Sequence, residues 1–275
     1  MRGDILVHSG SAELGAAIAE RMVGHLDRAA AEGAICTFGW PAGRTPLPVL
    51  DALADLARDG LLDLSHARFA MMDEYLQPGE GRQPRTVPLS AHNSCRGFAE
   101  REIAQRLNAS LPPGRRLAAD ALLSPDPSEP AAYDEILASD GGVRLFLVAV
   151  GASDGHVAFN PPGTPLASTT RVVRLAETTR RDNLATFPDF GDLDRVPTHG
   201  VSVGLATIAR ARELAVVLHG ASKREAARRT VTAHGFDARW PASFVHGHSR
   251  HAFFLDRAAA VDVTPATSRT VLADN

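Results

Sequence analysis

A chain of 275 residues is long enough to bury a sizeable core, either as one large α/β domain or as two small ones. Its hydrophobic fraction of 44% and charged fraction of 22% are ordinary for a soluble globular protein, and no run of about 18 apolar residues predicts a membrane-spanning helix. The net charge of −3, with arginines dispersed along the chain, argues against nucleic acid or an anionic membrane as a partner.

The first residues and the cysteine content predict a reduced, cytoplasmic setting. The opening MRGDILVHSGSAELG lacks the basic region and apolar run of a signal peptide. The two cysteines, Cys36 in an apolar segment and Cys95, are too few for a disulfide framework.

Strand-like and helix-like segments alternate along the chain. Short apolar runs predict strands over 5–8, 34–38, 68–72, 145–150, 170–175, 214–218 and 252–255. Helical patterns cover 11–31, 94–107, 131–138, 201–211 and 223–232, with a further helix that Thr45 caps and Pro46 begins. The alternation predicts an α/β fold with a mostly parallel sheet and helices on both faces, a three-layer sandwich. Because no internal repeat or linker is evident, we expect one domain over 1–275.

The first candidate site is the turn GWPAGRTP, from Gly39 to Pro46, where a strand leads into a helix. Free backbone N–H groups and the helix dipole at such a turn favour an anion, typically phosphate. The turn lacks the Gly-Lys-Ser/Thr ending of a P-loop, and the alternative interpretation is an ordinary capped turn.

Two acids, Asp73 and Glu74, follow the strand predicted over 68–72. A carboxylate at the end of a buried strand could act as a general base. Adjacent residues of an extended chain point to opposite faces, so we expect at most one of the two to face a given site. The alternative is a pair of solvated turn acids.

An acid and an imidazole come directly after the most apolar strand of the chain. The run over 145–150 predicts a fully buried strand, Gly151 ends it, and Asp154 and His156 follow. Open α/β sheets build their sites just past the carboxyl ends of strands. The carboxylate could orient or charge an imidazole that shuttles a proton, or the pair could form an Asx-type turn around a core histidine.

Two further groups of basic residues carry weaker patterns. Lys223 follows the strand over 214–218 and could bind phosphate as a point charge, although a lone lysine most often lies on the surface. His246, His248 and His251 are interpreted as a polar loop, because no cysteine or acid stands beside them at metal-ligand spacing.

Taken in order, these motifs resemble the superfamily of glucosamine-6-phosphate deaminases and 6-phosphogluconolactonases. The deaminase branch fits better, because lactonases usually depart from the pattern DGHVAFN after its histidine. The resemblance extends over nearly the whole chain. The similar segments are GWPAGRTP from Gly39, FAMMDEY from Phe69, DGHVAFN from Asp154, LASTTRVV from Leu166, TRRDN from Thr179, VPTHGVSVG from Val196 and GASK from Gly220.

The resemblance implies a Rossmann-like sheet and a reaction on a sugar 6-phosphate without a metal or another cofactor. In such deaminases a histidine helps to open the sugar ring, an aspartate moves a proton between C2 and C1, and ammonia leaves C2. By position, His156 is the ring-opening group, Asp154 its polar neighbour and Asp73 the proton-transfer base. The residues expected to hold the phosphate are Gly43, Arg44, Thr45 and Lys223. Deaminases of this type also raise the prospect of a homo-oligomer.

Two positions depart from the deaminase pattern. Deaminases place a glutamate directly after the asparagine of the central motif, where it partners the histidine, and this chain has Pro161 there. They also carry a phosphate-binding arginine at the position of Ala185. Arg44 could replace that charge, and Arg180 and Arg181 are less direct candidates.

Three functions remain open at this point. The first is an aldose–ketose isomerase or deaminase whose substrate or reaction is altered because Pro161 replaces the usual glutamate. The second is a lactonase-like hydrolase in which His156 activates water. The third is a phosphosugar-binding protein without catalytic activity.

Overall fold

The computed structural model describes residues 3–79, 83–263 and 270–272. Its strands, in chain order, are β1 (Asp4–His8), β2 (Cys36–Trp40), β3 (Ala67–Met71), β4 (Asp73–Gln77), β5 (Arg85–Thr86), β6 (Leu122–Leu123), β7 (Val143–Ala149), β8 (Arg171–Arg174), β9 (His199–Ser202), β10 (Leu214–Leu218), β11 (His251–Asp256) and β12 (Thr270–Leu272).

The helices complete the element order. They are α1 (Ser11–Ala31), α2 (Leu47–Arg58), α3 (Cys95–Phe98), α4 (Arg106–Asn108), α5 (Pro130–Ala138), α6 (Glu177–Thr186), α7 (Leu205–Ala209) and α8 (Arg224–Thr232). The π-helical segment Ala99–Gln105 joins α3 to α4 without a break. None of these helices combines the length and the hydropathy needed to cross a bilayer.

Eight strands form one parallel sheet in the order β12-β1-β11-β10-β7-β2-β3-β6. The predicted α/β fold with a mostly parallel sheet is therefore confirmed. The chain starts near one edge at β1 and crosses over α1 to β2 on the far side of the sheet, beside β7. The central strand β7 pairs with β10 on one side and with β2 on the other.

Alternate residues of the central strands enter two separate hydrophobic cores, and this explains the unbroken apolar runs of the sequence. Leu145 and Leu147 of β7 pack into the core beneath α1 and α2. Phe146 and Val148 pack into the other core, together with residues of α5, α7 and α8. The sheet is thus covered on both faces, and the three-layer arrangement is as predicted.

A second, antiparallel sheet lies beside the first and was not predicted from the sequence. Its order is β5-β4-β9-β8. β4 follows β3 after the single residue Met72, so one continuous stretch of chain passes from the parallel sheet into the antiparallel one. Asp73 is the first residue of that second strand and pairs with Ser202 of β9.

Local predictions fail where tertiary pairing decides the structure. The predicted helix over 201–211 is only partly helical, because Val201 and Ser202 belong to β9, which lies between β4 and β8. The helix over 177–186 and the strand over 73–77 carry no strong periodicity and were not predicted.

The predicted cap at Thr45 is also wrong. Helix α2 begins at Leu47 with Pro46 at its N-cap position, and no side chain caps it. A side chain at position 45 could bond only to the N–H groups of residues 47 and 48. Pro48 has no N–H, and the Leu47 N–H donates to the Arg44 carbonyl at 3.3 Å.

Candidate active site

A cavity of about 520 Å³ opens at the carboxyl ends of four adjacent strands, β10, β7, β2 and β3. Its walls come from the segments that follow these strands, and ligands of open α/β sheets bind at this position. The cavity brings together most of the residues that the sequence singled out. Asp73, His156, Arg44, Thr45 and Lys223 line it, Gly43 lies between two lining residues, and Asp154 lies behind His156.

Asp154 holds the imidazole of His156 in place. One carboxylate oxygen of Asp154 accepts from the His156 backbone N–H at 3.1 Å and lies 2.7 Å from the ring Nδ1. The other oxygen accepts from the Thr178 hydroxyl. Burial alone would raise the pKa of Asp154, but the bonds from His156 and Thr178 outweigh it and hold that pKa at about 2. The sequence offers the Asx-type turn and the oriented imidazole as alternative interpretations of this motif, and the structure contains both.

Because ionised Asp154 can only accept, the Nδ1 atom of His156 carries the proton and the Nε2 atom is the free acceptor. No partner for Nε2 occurs among the residues that the structure describes, and the ring lines the cavity. The site therefore presents an oriented imidazole that can take a proton from a bound molecule.

The two acids after β3 face opposite ways, as strand geometry requires. Asp73 lines the cavity, and its Oδ1 lies 3.4 Å from the Cys95 thiol. Burial raises the pKa of Asp73 to about 7, the Cys95 hydrogen bond partly opposes this rise, and Glu74 adds to it. Asp73 is thus a carboxylate whose proton is exchanged near neutral pH.

Glu74 points away from the cavity and has a structural role. It accepts hydrogen bonds from the backbone N–H groups of Tyr75, Cys95 and Arg96 and from the Ser94 hydroxyl, at 2.8–3.0 Å. The carboxylate therefore ties β4 to the start of α3. Because backbone N–H groups and a hydroxyl outside the cavity bind the Glu74 carboxylate, Asp73 is the member of this pair that faces the cavity.

Two cations lie at the end of the cavity formed by the loops after β2 and β10. The Lys223 Nζ donates to the Val150 carbonyl at 2.5 Å, so its side chain crosses from β10 to the end of the neighbouring strand β7. Burial lowers the pKa of Lys223, Asp182 opposes that shift, and Arg44 adds to it. Arg44 is exposed, and its side chain makes no hydrogen bond or ion pair with the described residues. The pair can thus bind an anion in the cavity.

The loop around Arg44 is held from the other side of the cavity. The Nε2 of His219 donates to the Thr45 carbonyl at 3.2 Å. Gly43 has a φ of 83°, a conformation that favours glycine. A residue with a side chain at position 43 would therefore strain the turn that carries Arg44.

Helix α6 contributes residues to the cavity that the sequence interpretation missed. Asp182, Asn183 and Thr186 line it together with Ala185. The Nδ2 of Asn183 is buried and has no partner among the described residues. The similarity of the segment TRRDN to deaminases is the signal that could have found them, but the sequence interpretation extends only to its arginines.

Those two arginines do not replace the missing cation at Ala185. Arg180 donates to the backbone carbonyls of Leu193 and Val196 and so fastens α6 to the segment that follows it. Arg181 lines the cavity, but it is exposed and its guanidinium is paired with Glu177 one turn earlier on the same helix. Ala185 itself is exposed, with no charged group of its own to offer.

Pro161 does not line the cavity. It is half-buried, and its carbonyl accepts from the Thr164 N–H at 3.1 Å in a turn. The carboxylates that do line the cavity among the described residues are Asp73 and Asp182. The acid that the deaminase pattern has after its asparagine is thus absent, and another element brings a carboxylate near His156.

Asp154, His156 and Asp182 place one oxygen or nitrogen each within 4.8 Å of one another, a set of residue types that can hold a divalent cation. Here the Nδ1 of His156 is hydrogen-bonded to Asp154. The Lys223 ammonium is close enough to interact electrostatically with the carboxylates of Asp154 and Asp182. A cation would have to displace that bond and tolerate that charge, so this cluster favours proton chemistry over metal binding.

His246, His248 and His251 lie near the amino end of strand β11, whereas the cavity lies at the carboxyl ends of the strands. Their rings bond to backbone groups: His246 to Thr230, His248 to Ala211 and His251 to Gly3. The predicted polar loop is therefore only partly correct, because His246 belongs to a 3-10 helix and His251 is the first residue of β11. The three rings fasten chain segments together and do not line the cavity.

Comparisons with known proteins agree with this fold. Residues 9–254 match the model of the family described as glucosamine-6-phosphate isomerases/6-phosphogluconolactonase. The chain is 36% identical over 237 residues to the glucosamine-6-phosphate deaminase of Beutenbergia cavernae, covering 86% of this chain and 82% of the relative. It is also 36% identical over 229 residues to that of Streptomyces avermitilis, covering 81% and 80%.

Solved structures show the same fold. A monomeric glucosamine-6-phosphate deaminase superimposes with a TM-score of 0.78 at 24% identity, covering 95% of this chain and all 100% of that one. The 6-phosphogluconolactonase of Trypanosoma brucei superimposes with a TM-score of 0.64 at 20% identity, covering 96% and 99%. The chain therefore belongs to the glucosamine-6-phosphate isomerase/6-phosphogluconolactonase family.

Proposed function

We propose that the protein catalyses aldose–ketose isomerisation of a sugar 6-phosphate, with or without release of ammonia from C2. The observation that carries this proposal is Asp73, a buried carboxylate with a pKa of about 7 in the same cavity as an oriented imidazole and the cations Arg44 and Lys223. The curated relatives are named as glucosamine-6-phosphate deaminases, and the proposal assigns the same class of proton transfer to this chain.

Asp73 is proposed as the base that moves the proton between C2 and C1. A general base works best when its pKa lies near the working pH, because it is then both available and strong. A solvated aspartate is too weak a base for this task, and burial supplies the required shift. The carboxylate takes the proton from one carbon and returns it to the next, so the base is regenerated in each turnover.

His156 is proposed to open the sugar ring. Its Nε2 accepts the proton of the anomeric hydroxyl as the C1–O5 bond breaks, and the same proton then passes to O5. Asp154 keeps the Nδ1 protonated and stabilises the imidazolium that forms in between. This site differs from the deaminase pattern in the acid that partners the histidine, because Pro161 stands at that position and has no ionisable group.

The phosphate is proposed to bind at the end of the cavity with Arg44 and Lys223. The turn Gly43-Arg44-Thr45 precedes helix α2 and Lys223 precedes helix α8, so two helix N-termini add their dipoles to the two side-chain charges. Arg44 supplies the guanidinium that Ala185 does not.

The test is proton exchange rather than product release alone. Amino-sugar and neutral sugar 6-phosphates are incubated with the protein in D₂O, and deuterium at C1 of the ketose is followed by NMR together with ketose and ammonia. Isomerisation is expected to label C1, because the base exchanges its proton with solvent before returning it there and C2 becomes the carbonyl carbon. Absence of label, ketose and ammonia across the panel would contradict the proposal, and binding by calorimetry without turnover would indicate a binding protein.

Removing either cation is expected to weaken binding of the phosphate. We predict that Lys223→Met and Arg44→Met each raise KM for sugar phosphates by about 10- to 100-fold, as expected for one lost charge-assisted bond. Steady-state kinetics measures the effect, and Arg228→Met is the control because Arg228 is exposed and paired with Glu225 on α8. An equal rise in KM in that control, or with an unphosphorylated sugar, would contradict the assignment.

The Cys95 thiol is expected to set the pH at which Asp73 becomes active. Cys95→Ala removes a hydrogen bond that favours the charged carboxylate, so the pKa of Asp73 rises and the acidic limb of kcat/KM moves to higher pH. Cys95→Ser supplies a stronger donor and is expected to move the limb to lower pH. The pH–rate profiles of the two variants should therefore shift in opposite directions from the wild type, and a shift in the same direction would contradict the assignment.

A lactonase-like hydrolase is the second candidate. The unbonded Nε2 of His156 beside a cavity could activate water without a glutamate partner, and Pro161 favours this function over deamination. Hydrolysis of a sugar-phosphate lactone that His156→Ala abolishes but Asp73→Asn does not would favour it. The isomerase mechanism instead predicts that Asp73→Asn abolishes the reaction.

A further inference from the structure

We infer that Asp182 is a positioning residue for His156: a second carboxylate, brought by α6, that supports the charge and orientation of the imidazole while it carries the proton of ring opening. This inference rests on the proposed function for its chemistry. Asp182 is not among the candidate catalytic and phosphate-binding residues that the sequence predicts.

The distances support a direct electrostatic role. An oxygen of Asp182 lies within 4.8 Å of a ring nitrogen of His156 and of an oxygen of Asp154, and Asp182 lines the same cavity as the ring. At this separation in a partly buried site, a carboxylate stabilises a neighbouring positive charge by well over the thermal energy. Pro161 offers no such charge, so Asp182 is the acid beside His156 that another element supplies.

Asp182 is held in this position from two sides. The Ser153 hydroxyl and backbone N–H, the latter at 3.3 Å, donate to its two oxygens. The chain after α6 is fastened by Phe187 and Phe190, whose rings lie 6.0 and 6.3 Å from that of Tyr75 in β4. A loosely held acid would spend its time in solvent, whereas this one is fixed beside the ring.

Several charged groups act on the imidazole at once. Asp154 and Asp182 favour its charged form, and the cations after β2 and β10 oppose it. The charged and titratable groups that line the cavity or lie behind the ring are Asp154, Asp182, Asp73, Arg44, Arg181, Lys223, His219, Cys95 and Tyr75. Asp154 and Asp182 are the two carboxylates clustered with the ring, so the negative charge of Asp182 helps to offset the cations when His156 takes up a proton.

The decisive experiment separates ring opening from the later proton transfer. Asp182→Asn is compared with the wild type on a cyclic sugar 6-phosphate and on an open-chain analogue that lacks the 4- and 5-hydroxyls and cannot cyclise. We expect kcat to fall by about tenfold or more on the cyclic substrate, with KM within about twofold, and both to be unchanged on the open-chain analogue. Asp182→Glu should recover most of the rate, because it restores the charge.

Two controls address a merely structural role. Asp189→Asn removes an exposed acid that follows α6 and does not line the cavity, and it should retain the wild-type kcat. Ser153→Ala removes a hydrogen bond that holds Asp182 but keeps the carboxylate charge, so it should lower kcat on the cyclic substrate by less than Asp182→Asn does. Equal losses on cyclic and open-chain substrates, or an equal loss in Asp189→Asn, would overturn the inference.

A measurement without substrate keeps the inference testable if the proposed function fails. The ¹⁵N shifts of the His156 ring, assigned with His156→Gln and recorded at one fixed pH, report how much positive charge the ring carries. Asp182→Asn is expected to move them toward the neutral imidazole, and Asp189→Asn is not. Unchanged shifts would overturn the inference whatever the protein turns over, whereas changed shifts without turnover would refute only the function.

Discussion

Asp73→Asn is expected to remove catalysis and, at the same pH, to make the fold more stable. Asparagine has the same shape and keeps an oxygen for the Cys95 thiol, but it cannot accept the substrate proton. The loss of a positioned base costs about 10²- to 10⁴-fold in rate. Deuterium incorporation at C1 of the ketose and ketose formation should fall together by this factor.

The gain in stability follows from the sign of the pKa shift. The pKa of Asp73 is about 7 in the folded protein against a value of 3.8 without burial. The folded state therefore holds this proton more tightly, and the stability that protonated Asp73 contributes is complete below pH 3.8 and is lost as the pH rises through 7. Asparagine resembles the protonated acid at every pH and does not lose that contribution.

The stabilisation should therefore depend on pH. We expect the free energy of unfolding of Asp73→Asn, relative to the wild type, to be about 3 kcal/mol larger at pH 8 than at pH 4.5, at about 1.36 kcal/mol per pKa unit. Urea unfolding at the two pH values measures this difference. Replacement of the exposed acid Asp189, which lies outside the cavity, provides a control for the loss of a surface carboxylate. A flat difference for Asp73→Asn would mean that the carboxylate is not held protonated by burial.

The parts of the site that lie at the ends of parallel strands could be predicted from the sequence. The apolar run over 145–150 identifies β7, and the polar residues just after it and after β2, β3 and β10 do converge on one cavity. This works because a strand buried on both faces must be apolar throughout, and because the carboxyl ends of parallel strands meet at one edge.

The parts that tertiary contacts hold could not be predicted. Helix α6 reads ETTRRDNLAT and has no apolar stripe, since the aromatic residues Phe187 and Phe190 beyond its end hold it against Tyr75. Strand β9 is fixed by its pairing with β4 and β8, which are distant in sequence. Asp182 was missed for this reason: its position beside His156 depends on contacts that no local pattern records.

A large effect of a single added methyl group on activity is expected at Gly151, two residues after the end of β7. A Cβ at this position would lie 2.2 Å from the Nδ1, 2.4 Å from the Cε1 and 2.7 Å from the Cγ of His156. Such distances do not occur between unbonded atoms, so the ring must move and lose its 2.7 Å bond to Asp154. A reacting group displaced by about 1 Å loses about 100-fold in rate, and we predict at least that loss of kcat/KM for Gly151→Ala.

The source of that loss can be isolated by a double-mutant cycle. Gly151→Ala should also cost about 1 to 3 kcal/mol of stability through overpacking, whereas Gly235→Ala should cost little because nothing lies within 4 Å of its added Cβ. In the His156→Ala background the obstructing ring is gone, so the stability cost of the Gly151→Ala substitution should largely disappear while activity stays absent. If the cost persists without the ring, the methyl group collides with something other than His156. If it vanishes, Gly151 is required because the strand end and the imidazole occupy adjoining space, and the position of the proton-carrying ring depends on a residue that has no side chain.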